Sequence, residues 1–424
     1  MTHPKPRSAL SLLGRLHGAF GRNPGRRKAR RVLRPPAELD RLSRHIILPS
    51  MSVTDEELAR ATFQDKGMKL ARQEMWEELS DMMREADEAR SGTPGGESAA
   101  MLMAFGARSD VVAMVEDSLS EGRAPARHGI DALDVVAAEL RGDYPVGAVV
   151  AMAHIDMAWA WRAMPEASAL EGAGAQAAYH SAQAADLLRP HGSAELPSPL
   201  LAAAQCALLR IQPTCTDAAL RNVADQYQRL IDLDPGSPRH MRALGAAVLA
   251  AQPGGYQQLE LAARRTAART GATWGAGAYA WVYLDALALD ARALAQLDPA
   301  FFIDGLRDIL RLCPDQHTAN LMAAFCAITM RSAGAGLAAG ARLRAALHDC
   351  LTWILRDHLH ELHPLIWTQA LHCPGAGPLP PRRALISEGR RTALRVIAAQ
   401  YADDIARGHS IAFSPSGMYM LPSL

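Results

Sequence analysis

The stretch from Tyr227 to Gly245, YQRLIDLDPGSPRHMRALG, limits the fold more than any other part of the chain. An apolar-periodic helix end runs into Leu233-Asp234-Pro235, and Pro235, Gly236 and Pro238 hold a break. Proline cannot continue the ladder of a helix it interrupts, and glycine relaxes the backbone for the turn. A new helix then opens with Met241, Leu244 and Gly245. A chain with such a hinge at its middle is built of helices that fold back on one another.

Composition extends this reading to the rest. The 424 residues are 49% hydrophobic but only 5% aromatic, and Ala, Leu and Arg dominate. Those are helix formers, while the β-branched and aromatic runs that suit strands are few. An all-α protein is expected. Breaks like the central one recur at Arg189-Pro190, Leu297-Asp298-Pro299 and Leu312-Cys313-Pro314-Asp315, so the hinge prolines fall at intervals of 45, 64 and 15 residues.

Tyr227 lies eight residues before Pro235, and Leu244-Gly245 follows on the next helix. In this the junction resembles that between two tetratricopeptide repeats, where an aromatic precedes a loop proline and a Leu-Gly pair opens the next 34-residue frame. The resemblance covers residues 148–331 and is loose, because the intervals are unequal and Ala or Asn stands where the family carries Trp or Tyr. It implies an irregular α-α hairpin solenoid, tetratricopeptide-like, with a concave side on which a partner segment binds.

Four regions are expected. Residues 1–50 form a basic arm with ten Lys or Arg before the first acid, Glu38. Three readings of it stay open: a solvated disordered arm, a true start at Met51, or contact of residues 1–34 with an anionic lipid or nucleic-acid surface. Residues 51–147 make an N-terminal helical subdomain opened by Thr54-Asp55-Glu56-Glu57, whose acids suit a helix N-terminus. Residues 148–331 hold the repeats. They begin with AVVAMAHIDMAWAWRAM, the most hydrophobic helix, expected to pack all round with Trp159 and Trp161 on different sides. Residues 332–424 cap the array with an amphipathic helix over Ile386–Ala406 and an irregular tail from Gly408.

Net charge is +1, which gives no nucleic-acid footprint for the whole chain. No apolar run reaches the roughly 20 residues that span a bilayer. Six scattered cysteines, Cys206, Cys215, Cys313, Cys326, Cys350 and Cys373, form no Cys-x-x-Cys pair and read as reduced thiols, which points to the cytoplasm.

Chemistry-bearing residues concentrate between His348 and Cys373. His358, His360, His363, His372 and Cys373 are the metal candidates, since zinc takes His, Cys or carboxylate ligands at helical spacings of 3 or 4. His360-Glu361-Leu362-His363 is one residue short of the zincin spacing. The preferred account is a polar helix end whose histidines meet free carbonyls before Pro364, with metal binding and acid-base use as alternatives. His154 and Asp156 stand out as polar residues on the most apolar helix, where a satisfied core contact is the favoured reading over catalysis.

No phosphate-binding loop, dinucleotide fingerprint or nucleophile elbow occurs. The expected function is therefore a non-catalytic scaffold that binds a protein or peptide partner without a cofactor. Its groove residues would be Trp159, Arg162, Tyr179, His240, Arg242, Trp274, Tyr279 and Trp281. The alternative is an all-helical metal-dependent enzyme or metal-binding protein using the His348–Cys373 cluster.

Overall fold

A computed structural model describes residues 36–164, 172–191, 196–211, 217–332, 340–372 and 380–422. The chain is mostly helical with little strand. It divides into two compact units, one formed by Met1–Thr54, Trp274–Ala280 and Ala286–Leu424, the other by Asp55–Thr273 and Trp281–Asp285. The first described residues make α1 (Pro36–His45) and β1 (Ile46–Ile47). This corrects the expected arm over residues 1–50. Ile46 is buried and pairs with Ile411, and Met51 N donates to the Leu362 carbonyl at 2.9 Å, so residues 36–51 belong to a folded unit. Residues 1–35 lie outside the described residues.

The second unit runs through α2 (Asp55–Arg72), α3 (Trp76–Glu88), α4 (Ala99–Ser120), α5 (His128–Glu139), α6 (Tyr144–Arg162) and α7 (Ala173–Leu188). It continues with α8 (Pro199–Leu209), α9 (Asp217–Leu233), α10 (Pro238–Ala251) and α11 (Tyr256–Trp274). At its centre α6 packs against α4, α5, α7 and α8. It opens on Asp143, whose carboxylate accepts from Val146 N at 3.1 Å, with Pro145 in the first turn where its missing N–H costs nothing. All but three of its residues are buried, which meets the expectation of a helix packed all round. Trp161 joins an apolar cluster with Val115, Leu119, Ile130 and Leu133, whereas Trp159 packs against a second cluster around Leu79, Met83 and Leu200. The expected division between residues 147 and 148 therefore runs through one continuous helix.

Two glycines let α2 and α4 touch backbone to backbone. A Cβ at Gly106 would stand 1.9 Å from the Gln64 carbonyl oxygen, and one at Gly67 would stand 2.0 Å from that of Met103. A buried ion network closes the same unit. Glu56, placed in the first turn of α2, accepts from Thr93 Oγ1 (3.0 Å) and Gly95 N (2.6 Å), and Arg239 reaches Glu97 at 2.6 Å. Arg60 also pairs with Glu97, so the loop before α4 is tied by charge to α2 and α10. The central hinge forms as expected: α9 ends at Leu233, α10 begins at Pro238, and Asp234 accepts from His240 at 3.1 Å. Tyr227 and Leu244 are buried, and Gly245 lies where a Cβ would meet the Val282 carbonyl oxygen at 1.9 Å.

After α12 (Gly277–Leu289) come α13 (Pro299–Leu312), α14 (Gln316–Ala324), α15 (Ala341–Asp357), α16 (Pro364–Leu371), α17 (Arg382–Gln400) and α18 (Ala402–Ala406). Asp298 and Asp315 cap α13 and α14 through Phe301 N and Thr318 N. The helix expected over Thr318–Arg331 instead widens into a π-helical turn at Phe325–Thr329, and the Cys326 carbonyl there accepts from His348 Nδ1 at 2.9 Å. The tail from Gly408 is not irregular. Ser410–Ser414 (β2) and Gly417–Leu421 (β3) form an antiparallel hairpin, and β1 adds in parallel to give a small sheet of order β1-β2-β3. Alternation along β2, which buries Ile411 and Phe413, was the overlooked strand signal.

Candidate functional site

The residues of the expected metal cluster are engaged in holding an irregular backbone. Gln316 and Asn320, one turn apart on α14, face the segment between α15 and α16. Gln316 Oε1 accepts from His360 N and Glu361 N at 2.9 Å each, and its amide nitrogen donates to the His358 carbonyl and meets His360 Nδ1 at the same distance. Asn320 Oδ1 accepts from His363 N and Trp367 Nε1, both at 2.9 Å, while its Nδ2 donates to the Gln316 and Glu361 carbonyls. His363 Nε2 meets Glu361 at 3.0 Å, and His372 Nε2 meets Glu388 at 2.9 Å. Among the described residues no three His, Cys, Asp or Glu side chains are grouped to hold a metal ion. Cys373 lies outside the described residues. Burial pushes the Cys206 thiol up to about 12 and raises Cys326 and Cys350 as well, which removes the thiolate character that a nucleophilic cysteine needs.

Three of the expected groove residues lie in the core. Trp274, Tyr279 and Trp281 are 4%, 0% and 2% exposed, so their rings are core. Tyr279 Oη accepts from Asp298 N at 2.8 Å, which ties it to the start of α13. His240 is buried on Asp234, and Arg242 is held by Asp285 at 2.7 Å. Trp159 is half-buried with the Arg162 guanidinium above its ring. For the three core rings the physical cause is that large aromatics on apolar helices are drawn inside by the area they bury. Tyr179, another of the eight, borders a recess.

That recess is small, lined by Val115, Pro125, Ile130, Met157 and Trp161 as apolar wall and by Arg127, Gln176, Tyr179 and His180 as polar rim. Its parts come from α4, α5 and the loop before it, α6 and α7. Arg127 sits 5.3 Å from the Tyr179 ring centroid, donates to Tyr179 Oη at 3.0 Å and lies 3.4 Å from Asp131. Both hydrogen bonds are made by one guanidinium nitrogen, Nη2.

Behind the recess stands a chain of polar side chains. His154, fully buried on α6, has Nε2 at 2.9 Å from Asp134 Oδ1 and Nδ1 at 2.8 Å from His180 Nδ1. A carboxylate only accepts, so the Asp134 contact puts a proton on His154 Nε2. Desolvation first, then the neighbouring His154 and Arg127, hold the His180 imidazole down to about 4 against the opposing pull of Asp134. At neutral pH the His180 ring is therefore uncharged. The companion polar residue, Asp156, accepts from buried Arg108 at 2.8 Å and takes no part in this chain.

Sequence reasoning singles out His154 and Tyr179 but misses Arg127, Asp134, Trp161 and His180 as their neighbours. The four lie on different elements with no spacing to link them. The one available signal was the pairing of two lone histidines, His154 and His180, on successive Ala-rich helices. No protein-family model matches the sequence, and no curated protein or solved structure matches it either.

Proposed function

We propose that the chain is a helical binding scaffold, a degenerate relative of tetratricopeptide arrays, that takes up a segment of a protein or peptide partner. On this reading one partner side chain enters the recess between α4, α5, α6 and α7. The observation that carries it is the make-up of that recess. Trp161, Tyr179 and Arg127 converge there, and Trp, Tyr and Arg are the residue types in which binding energy concentrates at interfaces. An apolar wall with a few polar groups at the edge is also the usual construction of a side-chain pocket.

The test is selection of peptides from a displayed random library on the purified full-length chain, followed by a filled-recess variant. Ala126 lines the recess yet is exposed, so Ala126→Trp blocks the mouth without entering the core. The expected result is that enriched peptides share an anchor side chain and lose about tenfold or more in affinity for Ala126→Trp, equivalent to ~1.4 kcal/mol. Peptides that bind the variant and the native chain equally well overturn the proposal.

A further inference from the structure

The small sheet of the first unit ends on a strand whose outer edge is open. A two-residue loop, Pro415-Ser416, joins β2 to β3, and Ser414 opposite Gly417 is the pair that closes it. Bonded and non-bonded pairs alternate along an antiparallel ladder. Gly417, Tyr419 and Leu421 therefore point their backbone groups at β2, and Met418 and Met420 point theirs away from it. Among the described residues those outward N–H and C=O groups meet no other backbone. Tyr419, Met420 and Leu421 are 48%, 46% and 40% exposed, so the strand is open to solvent there. α15 comes up at the hairpin end, where its Arg356 carbonyl oxygen would lie 4.0 Å from a Cβ at Gly417. From the geometry we infer that this edge pairs with the same edge of a second copy of the chain, β3 against β3 in antiparallel register across a two-fold axis at Tyr419.

The chemistry of the strand selects a second copy as its occupant. Pro415 and Pro422 bracket it, and proline has no N–H to give, so Met418 and Met420 are the whole bonding edge. With Tyr419 set opposite Tyr419, Met418 of each copy faces Met420 of the other, and each such pair exchanges two hydrogen bonds. One strand thus supplies both halves of a closed ladder. Residues 417–421, GMYML, carry no charge, so the two-fold brings no like charges together. Nor does β3 have the charge, internal proline or bulge that usually blunts an edge, since its pairing runs unbroken from Gly417 to Leu421. On the exposed face Ile47 lies opposite Ala412 and Ala412 opposite Tyr419, whose Oη is held by Ser416 Oγ at 3.0 Å. The axis doubles that row into one apolar stripe, with the two Tyr419 side chains at a non-bonded position where neighbours stand closest. An edge only ~17 Å long buries less than the ~800 Å² per partner of a standard interface. The dimer is therefore weak and depends on concentration.

β3 belongs to the first unit and the recess to the second, so this surface stands or falls apart from the partner-binding reading. Sedimentation equilibrium of the full chain between about 1 μM and about 500 μM tests it. The expected result is a monomer–dimer equilibrium with a Kd of about 10–500 μM. Met420→Pro removes an outward N–H that β2 does not use, at an exposed edge position that tolerates proline, so the variant should fold. Its Kd should rise at least about tenfold. Tyr419→Lys places two like charges opposite each other at the axis and should weaken the dimer about tenfold, with part of the loss recovered at high salt. That variant serves as the readout if Met420→Pro does not fold. A monomer over the whole range, growth past the dimer, or a dimer unchanged in Met420→Pro overturns the inference.

Discussion

At the scale of single residues, the polar side chains that matter most here act by what they meet across the fold. His180 illustrates the energetics. Its ordinary pKa of about 6.5 is depressed to about 4 in the folded chain, so between those values the native state binds fewer protons than the unfolded one. The contribution of this ring to stability is therefore complete above about pH 6.5 and is lost as pH falls toward about 4. Desolvation by burial is the main cause, followed by the neighbouring His154 and Arg127, with Asp134 opposing them. Urea denaturation at about pH 7 and about pH 5 should show a larger drop for the native chain than for His180→Phe, and equal drops would contradict the assignment. Little of this was legible in the sequence. His154 stands out on an apolar helix, but its partners Asp134 and His180 come from α5 and α7. Gln316 and Asn320 look like ordinary helix-surface amides until the backbone from His358 to His363 is placed against them.

At the scale of elements, local chemistry was far more readable. Asp143, Ser198, Asp298 and Asp315 each cap a helix through a side-chain acceptor, three of them with Pro in the first turn. The break at Leu233-Asp234-Pro235 and the all-round burial of α6 both follow from patterns of a few residues. The seam between α2 and α4 does not, because a glycine inside a helix reads only as a weak helix former. Gly106 shows why it is there: any side chain would overlap the Gln64 carbonyl. Gly106→Val should destabilise the chain by ~2 kcal/mol or more, as overpacking between rigid backbones does. Gly174 of α7 has nothing within 4 Å of the added Cβ, so Gly174→Ala should be neutral or stabilising by up to about 1 kcal/mol. Thermal denaturation of both variants checks the pair, and similar losses would remove the explanation by close approach.

At the scale of the whole molecule, composition was enough to give a mostly helical chain, while the grouping of its parts was hidden. Both units are assembled from segments that are not contiguous, and nothing in a linear pattern marks that Ile46 pairs with Ile411. Two residues of strand and five more near the other end are too short to register against a helical background. A chain shortened to begin at Met51 would lose α1, β1 and the buried Ile46. It should unfold at a lower temperature than the full chain and expose β2 to limited proteolysis, and an unchanged melting temperature would show that the parallel pair contributes nothing.

The same pairing has a temporal side. Ser410 and Arg44, which meet beside the β1-β2 ladder, are 366 positions apart. Domains settle in the order in which they leave the ribosome, and contacts between distant positions wait for the later partner. The unit built from Asp55–Thr273 and Trp281–Asp285 can condense during synthesis once residue 285 has emerged. Ile46, translated long before, must remain without its strand partner until residues 410–414 arrive, and for that interval it is an apolar site open to chaperones.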